Sequence, residues 1–144
     1  MDEIHSEIRT FNSSRVNKPI NYFILFAAIS GLVATTFGAF GAHILKNRIA
    51  PNMLSIFQTG VQYQFYHSLA LLLLALVMFR INNKYLRLSG IFYVLGIILF
   101  SGSLYMLSLT NITYFGIITP AGGVAFMLGW VMLAVGMLQQ NTKT

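Results

Sequence analysis

The chain has no cysteine, and after Glu7 it has no carboxylate; Asp2, Glu3 and Glu7 are its 3 acidic residues. Without cysteine there is no disulfide framework, no thiolate nucleophile and no cysteine-based metal site. Zinc normally takes four ligands, and here it would have to draw on His43 and His67 with help from Met or Gln. Haem held by both histidines fares no better. A Ser-His pair would lack its acid, and no G-x-S-x-G elbow occurs. Proton or sodium coupling in membrane transporters relies on Asp, Glu or His, and here it would rest on His67 alone. The sequence therefore predicts no catalytic residue, no metal and no cofactor. Charge of either sign is scarce as well, at 8% of residues against about 25% in ordinary globular proteins.

What remains is apolar. Hydrophobic residues make up 56% of 144, and a chain this short cannot bury so much in a water-facing fold. Four uncharged stretches, Tyr22–Ala42, Gly60–Phe79, Leu88–Leu109 and Tyr114–Leu138, meet the requirement of about 20 residues for a membrane-crossing helix. Runs such as LALLLLALVMF do not alternate, which excludes barrel strands and leaves helices, whose amides are satisfied internally. The expected fold is all-α: an integral-membrane four-helix bundle over residues 20–138. A polar, flexible arm (1–19) would precede it and a polar tail (139–144) follow it. The first apolar stretch exceeds the usual 7–15 residues of a signal peptide. It reads as a retained span despite the small residues of Ala39-Phe40-Gly41-Ala42. Between spans one and two, Pro51-Asn52 marks a helix start, and Met53, Ile56, Phe57, Gly60 and Val61 continue it at helical spacing.

Lysine and arginine are distributed unevenly. Arg9, Arg15, Lys18, Arg80, Lys84, Arg87 and Lys143 fall on one side of the predicted membrane, and only Lys46 and Arg48 on the other. Positive residues collect in cytoplasmic loops, so both termini are expected in the cytoplasm. Scattered through loops, these charges form no stripe for nucleic acid. Membrane lipids, a second copy of the chain or a larger membrane complex suit them better. The expected location is a membrane, crossed several times.

Within this topology every span concentrates its polar groups in the outer half. Span two opens with TGVQYQFYHS, placing Gln62, Gln64 and His67 among aromatics, with His67 about 10 Å from Gly60 along the axis. His43 ends span one, and span three leaves through Ser101, Ser103, Tyr105 and Ser108. Polar side chains facing lipid tails would carry unmet hydrogen bonds costing roughly several kcal/mol each, so they should face one another. Thr59, Tyr63 and His67 share a helix face, Tyr66 sits beside them, and Gln58 and Gln62 form a neighbouring row. The expected cluster comprises His43, Gln62, Tyr63, Tyr66, His67, Ser101, Ser103 and Tyr105. It reads either as interhelical glue or as a pocket for a lipid head group, a quinone or another small molecule. An intramembrane ionisable residue is a functional hypothesis by default, which singles out His67. Small residues mark close helix contacts: Ala34, Gly38 and Ala42 on helix one, and Gly122, Gly129 and Gly136 on helix four.

The segments GAFGAHILK and FQTGVQYQFYHSLALL, together with SGSLY and ITPAGG, resemble the family of small membrane proteins catalogued as domain of unknown function 423. The resemblance covers roughly residues 20–138 and implies a four-span inner-membrane protein. Its signature falls here on Gly38, Gly41, His43, Gln62, Tyr63, His67, Ser101, Gly102, Pro120 and Gly122. It brings no reaction, substrate or cofactor. The leading expectation is a non-enzymatic accessory or assembly factor. The alternative is a lipid-, quinone- or small-molecule-binding bundle, a transporter if it oligomerises.

Overall fold

The computed structural model describes residues 18–139, and every regular element among them is helical. Most of the expected arm, the tail beyond Gln139, and Arg9, Arg15 and Lys143 lie outside the described residues. Helix α1 (Lys18–His43) leads through a 3₁₀ turn (Leu45–Asn47) into α2 (Pro51–Met78). Helix α3 (Lys84–Gly96), a π-helical turn (Ile97–Ser101) and α4 (Gly102–Thr110) together form the third span. A second 3₁₀ turn (Thr113–Ile117) precedes α5 (Thr119–Leu138). All four spans are long and apolar enough to cross a membrane. We call the end carrying the two 3₁₀ turns the distal end.

Local chemistry sets the boundaries. Pro51 occupies the first turn of α2 after an extended Ala50, where its missing N–H costs nothing. Asn83 caps α3, its Oδ1 accepting from the amides of Tyr85 and Leu86 at 3.0 Å each. Its Nδ2 donates to the Gly136 carbonyl at 2.8 Å and so ties this loop to the last turns of α5. Asn111 ends α4 in the left-handed conformation, φ 59°, which asparagine tolerates better than most residues. The fourth apolar stretch begins helically at Thr113, but the α-helix proper starts only at Thr119. Pro120 explains the break, because within a continuous helix its ring would meet the carbonyl four residues earlier.

The inner pair is α2 and the third span. In each, 44% of the most apolar window is buried, against 17% in the first span and 28% in the last. Helix α1 lies along α2, and α5 lies along α3; α4 turns instead to α2, and the π-helical turn touches both α2 and α5. The α3–α5 contact follows a single register. Gly136 faces Leu86, Gly129 faces Tyr93, and Gly122 meets the backbone of Phe100. Seven residues nearly complete two turns, so residues spaced by seven stay on one face, and a glycine meets a bulky residue at each step. Ser89 Oγ seals the middle step by donating to the Gly129 carbonyl at 2.8 Å.

On α1 the row facing inward is Ala27, Ser30, Ala34 and Gly41, all buried. Gly38 is half-buried and the expected Ala42 is exposed. A four-residue repeat drifts about 40° per step, which carries Ala42 off the face that Gly41 keeps. The dry core, with Leu71, Leu74, Ala75, Met78, Leu86 and Tyr93 at 1% exposure or less, fills the half of the bundle away from the distal end.

Candidate functional site

Helix α2 presents polar groups in two rows, one to each side. Gln64 and Ser68 turn toward α1 and α4, whereas Tyr63 and His67 turn toward α5. Because α2 begins at Pro51, both rows lie near its middle.

The first row is a closed hydrogen-bond network. Gln64 Nε2 donates to the Ser30 carbonyl at 3.0 Å and lies 3.2 Å from Ser30 Oγ. Ser68 Oγ is 2.8 Å from Ser30 Oγ and 2.7 Å from the Gln64 carbonyl. On the other side, the Tyr105 hydroxyl donates to Gln64 Oε1 at 2.6 Å. One glutamine thereby bridges α1 and α4 through α2. Tyr105 reaches it by lying over Gly60, where an added Cβ would come within 3.0 Å of the ring. It also packs against Phe37 and Phe57, each ring centroid 5.0 Å away. Separately, Ser103 Oγ and Thr119 Oγ1 join α4 to α5 at 2.8 Å.

The second row opens onto a groove. Tyr63, His67, Phe100, Pro120, Gly123, Val124, Phe126, Met127 and Trp130 line a space of about 570 Å3 between α2 and α5. The His67 ring lies flat on Phe126, centroids 3.5 Å apart and planes 11° from parallel. Tyr93 and Trp130 stand at 5.7 and 6.3 Å from it. Nδ1 is 2.9 Å from the Tyr63 carbonyl. The residue is 7% exposed, and Nε2 makes no hydrogen bond with any described residue. Among the described residues the fully enclosed unpartnered atoms are the Tyr93 hydroxyl and Ser101 Oγ; Nε2 is not one of them, so it retains a little surface. Ser89 is the polar neighbour of the Tyr93 hydroxyl, but the pair falls outside hydrogen-bond geometry, and Ser89 donates to Gly129 instead.

The predicted residues therefore separate. Tyr63 and His67 share the groove, their rings 6.0 Å apart and 19° from parallel. Tyr105 joins the opposite network, Ser103 binds Thr119, and Ser101 is buried with no hydrogen-bond partner among the described residues. His43, Gln62 and Tyr66 are exposed, and their side chains make no hydrogen bond with a described residue. The three polar residues at the centre of the closed network, Ser30, Gln64 and Ser68, were missing from the expected cluster. A signal existed: Gln64 and Ser68 are four apart, and Ser30 interrupts a row of small residues. Phe126 and Trp130 were hidden in an apolar run that reads as ordinary span.

Four helices long and apolar enough to cross a membrane, with large apolar side chains turned outward along each, define a multi-pass helical membrane protein. The model of a family described as Protein of unknown function (DUF423) matches residues 37–123. The chain is 41% identical over 122 residues to the UPF0382 inner membrane protein YgdD of Escherichia coli (strain K12), covering 85% of this chain and 93% of that one. It is 43% identical over 118 residues to the UPF0382 membrane protein YwdK of Bacillus subtilis (strain 168), covering 81% and 96%. The UPF0382 membrane protein SSP2132 of Staphylococcus saprophyticus is 42% identical over 116 residues, covering 79% and 94%. The chain belongs to this DUF423, or UPF0382, family, and it is a multi-pass inner-membrane protein. No solved structure matches it.

Proposed function

We propose that this protein is a non-enzymatic binding bundle that takes a small apolar molecule or lipid from the bilayer into the groove between α2 and α5. The observation that carries the reading is His67: an imidazole 7% exposed, stacked on Phe126 and lining a groove of about 570 Å3, with one ring nitrogen left without a partner among the described residues. Buried polar atoms are nearly always paired, and leaving one open toward a lipid-facing groove is what a ligand site requires. The contrast with Gln64 supports this. Glue closes on itself, as Gln64 does, whereas the His67 row does not. The volume lies within the range of small-molecule pockets.

The same reading places both termini in the cytoplasm, on the balance of Lys and Arg between the two sides.

Native mass spectrometry of protein released from nanodiscs, wild type beside Val124→Trp, tests the proposal. Val124 lines the groove from its exposed side, so a tryptophan there fills the space while leaving both rings of the His67–Phe126 stack in the sequence. A retained small molecule in the wild type, reduced at least about tenfold in the variant, is expected. Ligand-free protein that instead carries a stoichiometric protein partner in both forms would return the accessory-factor reading to first place.

A further inference from the structure

The proposed site can be carried further, to the chemistry of its occupant. The His67 Nδ1 faces a backbone carbonyl, that of Tyr63, at 2.9 Å. A carbonyl oxygen only accepts, so Nδ1 carries the hydrogen. No carboxylate exists between Ile8 and Thr144, so nothing stands opposite a charged imidazolium in the bundle, and an unpaired ion at this depth is costly. The ring is therefore neutral, and in the neutral ring the second nitrogen, Nε2, is a bare acceptor. A molecule completing this site has to donate.

Charge narrows the class. None of the nine residues lining the groove is Lys, Arg, Asp or Glu, so a phosphate or carboxylate head would enter without a counter-ion and lose its hydration. A quaternary ammonium, though aromatic walls attract one, has no hydrogen to give Nε2. The walls are aromatic on several sides, Tyr63, Phe100, Phe126 and Trp130, which favours a flat ring at stacking or edge distance. The groove opens between α2 and α5 toward lipid, leaving room for an apolar chain.

We infer that the groove binds a neutral, ring-bearing amphiphile that donates a hydroxyl to His67 Nε2, as a phenol or the reduced, hydroquinone form of a quinone does. This rests on the groove being a binding site, and the test separates the two statements. Trp130 is the single tryptophan of the chain and lines the groove, so its emission reports occupancy directly. The probes are 4-heptylphenol and its methyl ether, alike in shape except that the ether cannot donate. They are titrated into protein in phosphatidylcholine nanodiscs, with concentration expressed per lipid. The phenol should shift Trp130 emission saturably. The ether should bind about tenfold more weakly or worse, because it leaves the acceptor unpaired and desolvated. His67→Phe, which keeps a flat ring against Phe126, should erase that difference. Equal affinity of the two probes for the wild type would overturn the donor requirement while leaving the groove a site. Failure of both to saturate would overturn the site and the inference with it. Because the decisive comparison is made on the wild type, it stands even if His67→Phe does not fold.

Discussion

Gln64 and Gln62 sit two positions apart on α2, about 200° apart around the helix. Gln64 bonds to Ser30 and Tyr105, while Gln62 is exposed. Replacing Gln64 by leucine removes its bonds to both neighbours and strands the Tyr105 hydroxyl. Hydrogen bonds between membrane helices contribute about 0.6 kcal/mol on average, and a stranded group adds about 1–3 kcal/mol. Gln64→Leu should therefore destabilise by about 2–4 kcal/mol in an SDS-titration unfolding measurement in mild detergent, whereas Gln62→Leu should stay within about 0.5 kcal/mol. A Gln62 effect as large as that of Gln64 would contradict the network. At this scale the sequence made the polar residue types plain but not their directions. Which glutamine is buried depends on where α1 and α4 stand around α2, and nothing within span two itself encodes that.

At the scale of the element, the heptad of glycines on α5 was legible, because small residues spaced by seven have one physical use in a membrane helix: letting a neighbour approach. Its partners, Leu86, Tyr93 and Phe100, were not singled out, although they too recur every seven residues. Gly122→Ala is the severe change here. Its Cβ would meet the Phe100 backbone, which cannot turn aside as a side chain can, so a loss of about 1–3 kcal/mol is expected. Gly31→Ala and Gly102→Ala are the controls, with open space around the new methyl; each should be neutral or gain up to about 1 kcal/mol from reduced chain entropy. Thermal unfolding of the three variants side by side checks this, and a Gly122→Ala protein as stable as its controls would contradict the α3–α5 register. The break before α5 was half visible in Pro120. The π-helical turn was invisible, since Ile97–Ser101 differs in no way from the helical sequence around it.

For the whole molecule, the four spans were plain because apolar length is a property of the chain itself. The groove was not, because it arises from separation: α2 and α5 face each other through side chains, with the third span holding them apart. Orientation is open to a clean measurement, since the chain has no native cysteine. Single cysteines at Asn47, in the distal loop, and at Asn82, between α2 and α3, should label oppositely in intact cells with a membrane-impermeant maleimide. Asn47→Cys should react from outside and Asn82→Cys only after permeabilisation. The reverse pattern would invert the topology and place the predominantly positive side outside.

The wide turn at Ile97–Ser101 has a consequence of another kind. A regular helix is a rigid phase: once one face is committed, every later residue's direction follows. Here the third span has a task on each side, glycine-matched contact with α5 before the turn and the Tyr105–Gln64 bond to α2 after it. The wider turn resets the phase between them, so each half can be tuned by substitution without rotating the other. The span behaves as two short helices sharing one axis, and removing one residue from the joint would swing Tyr105 by about 100°, away from its glutamine, while Gly129 and Gly136 kept their partners.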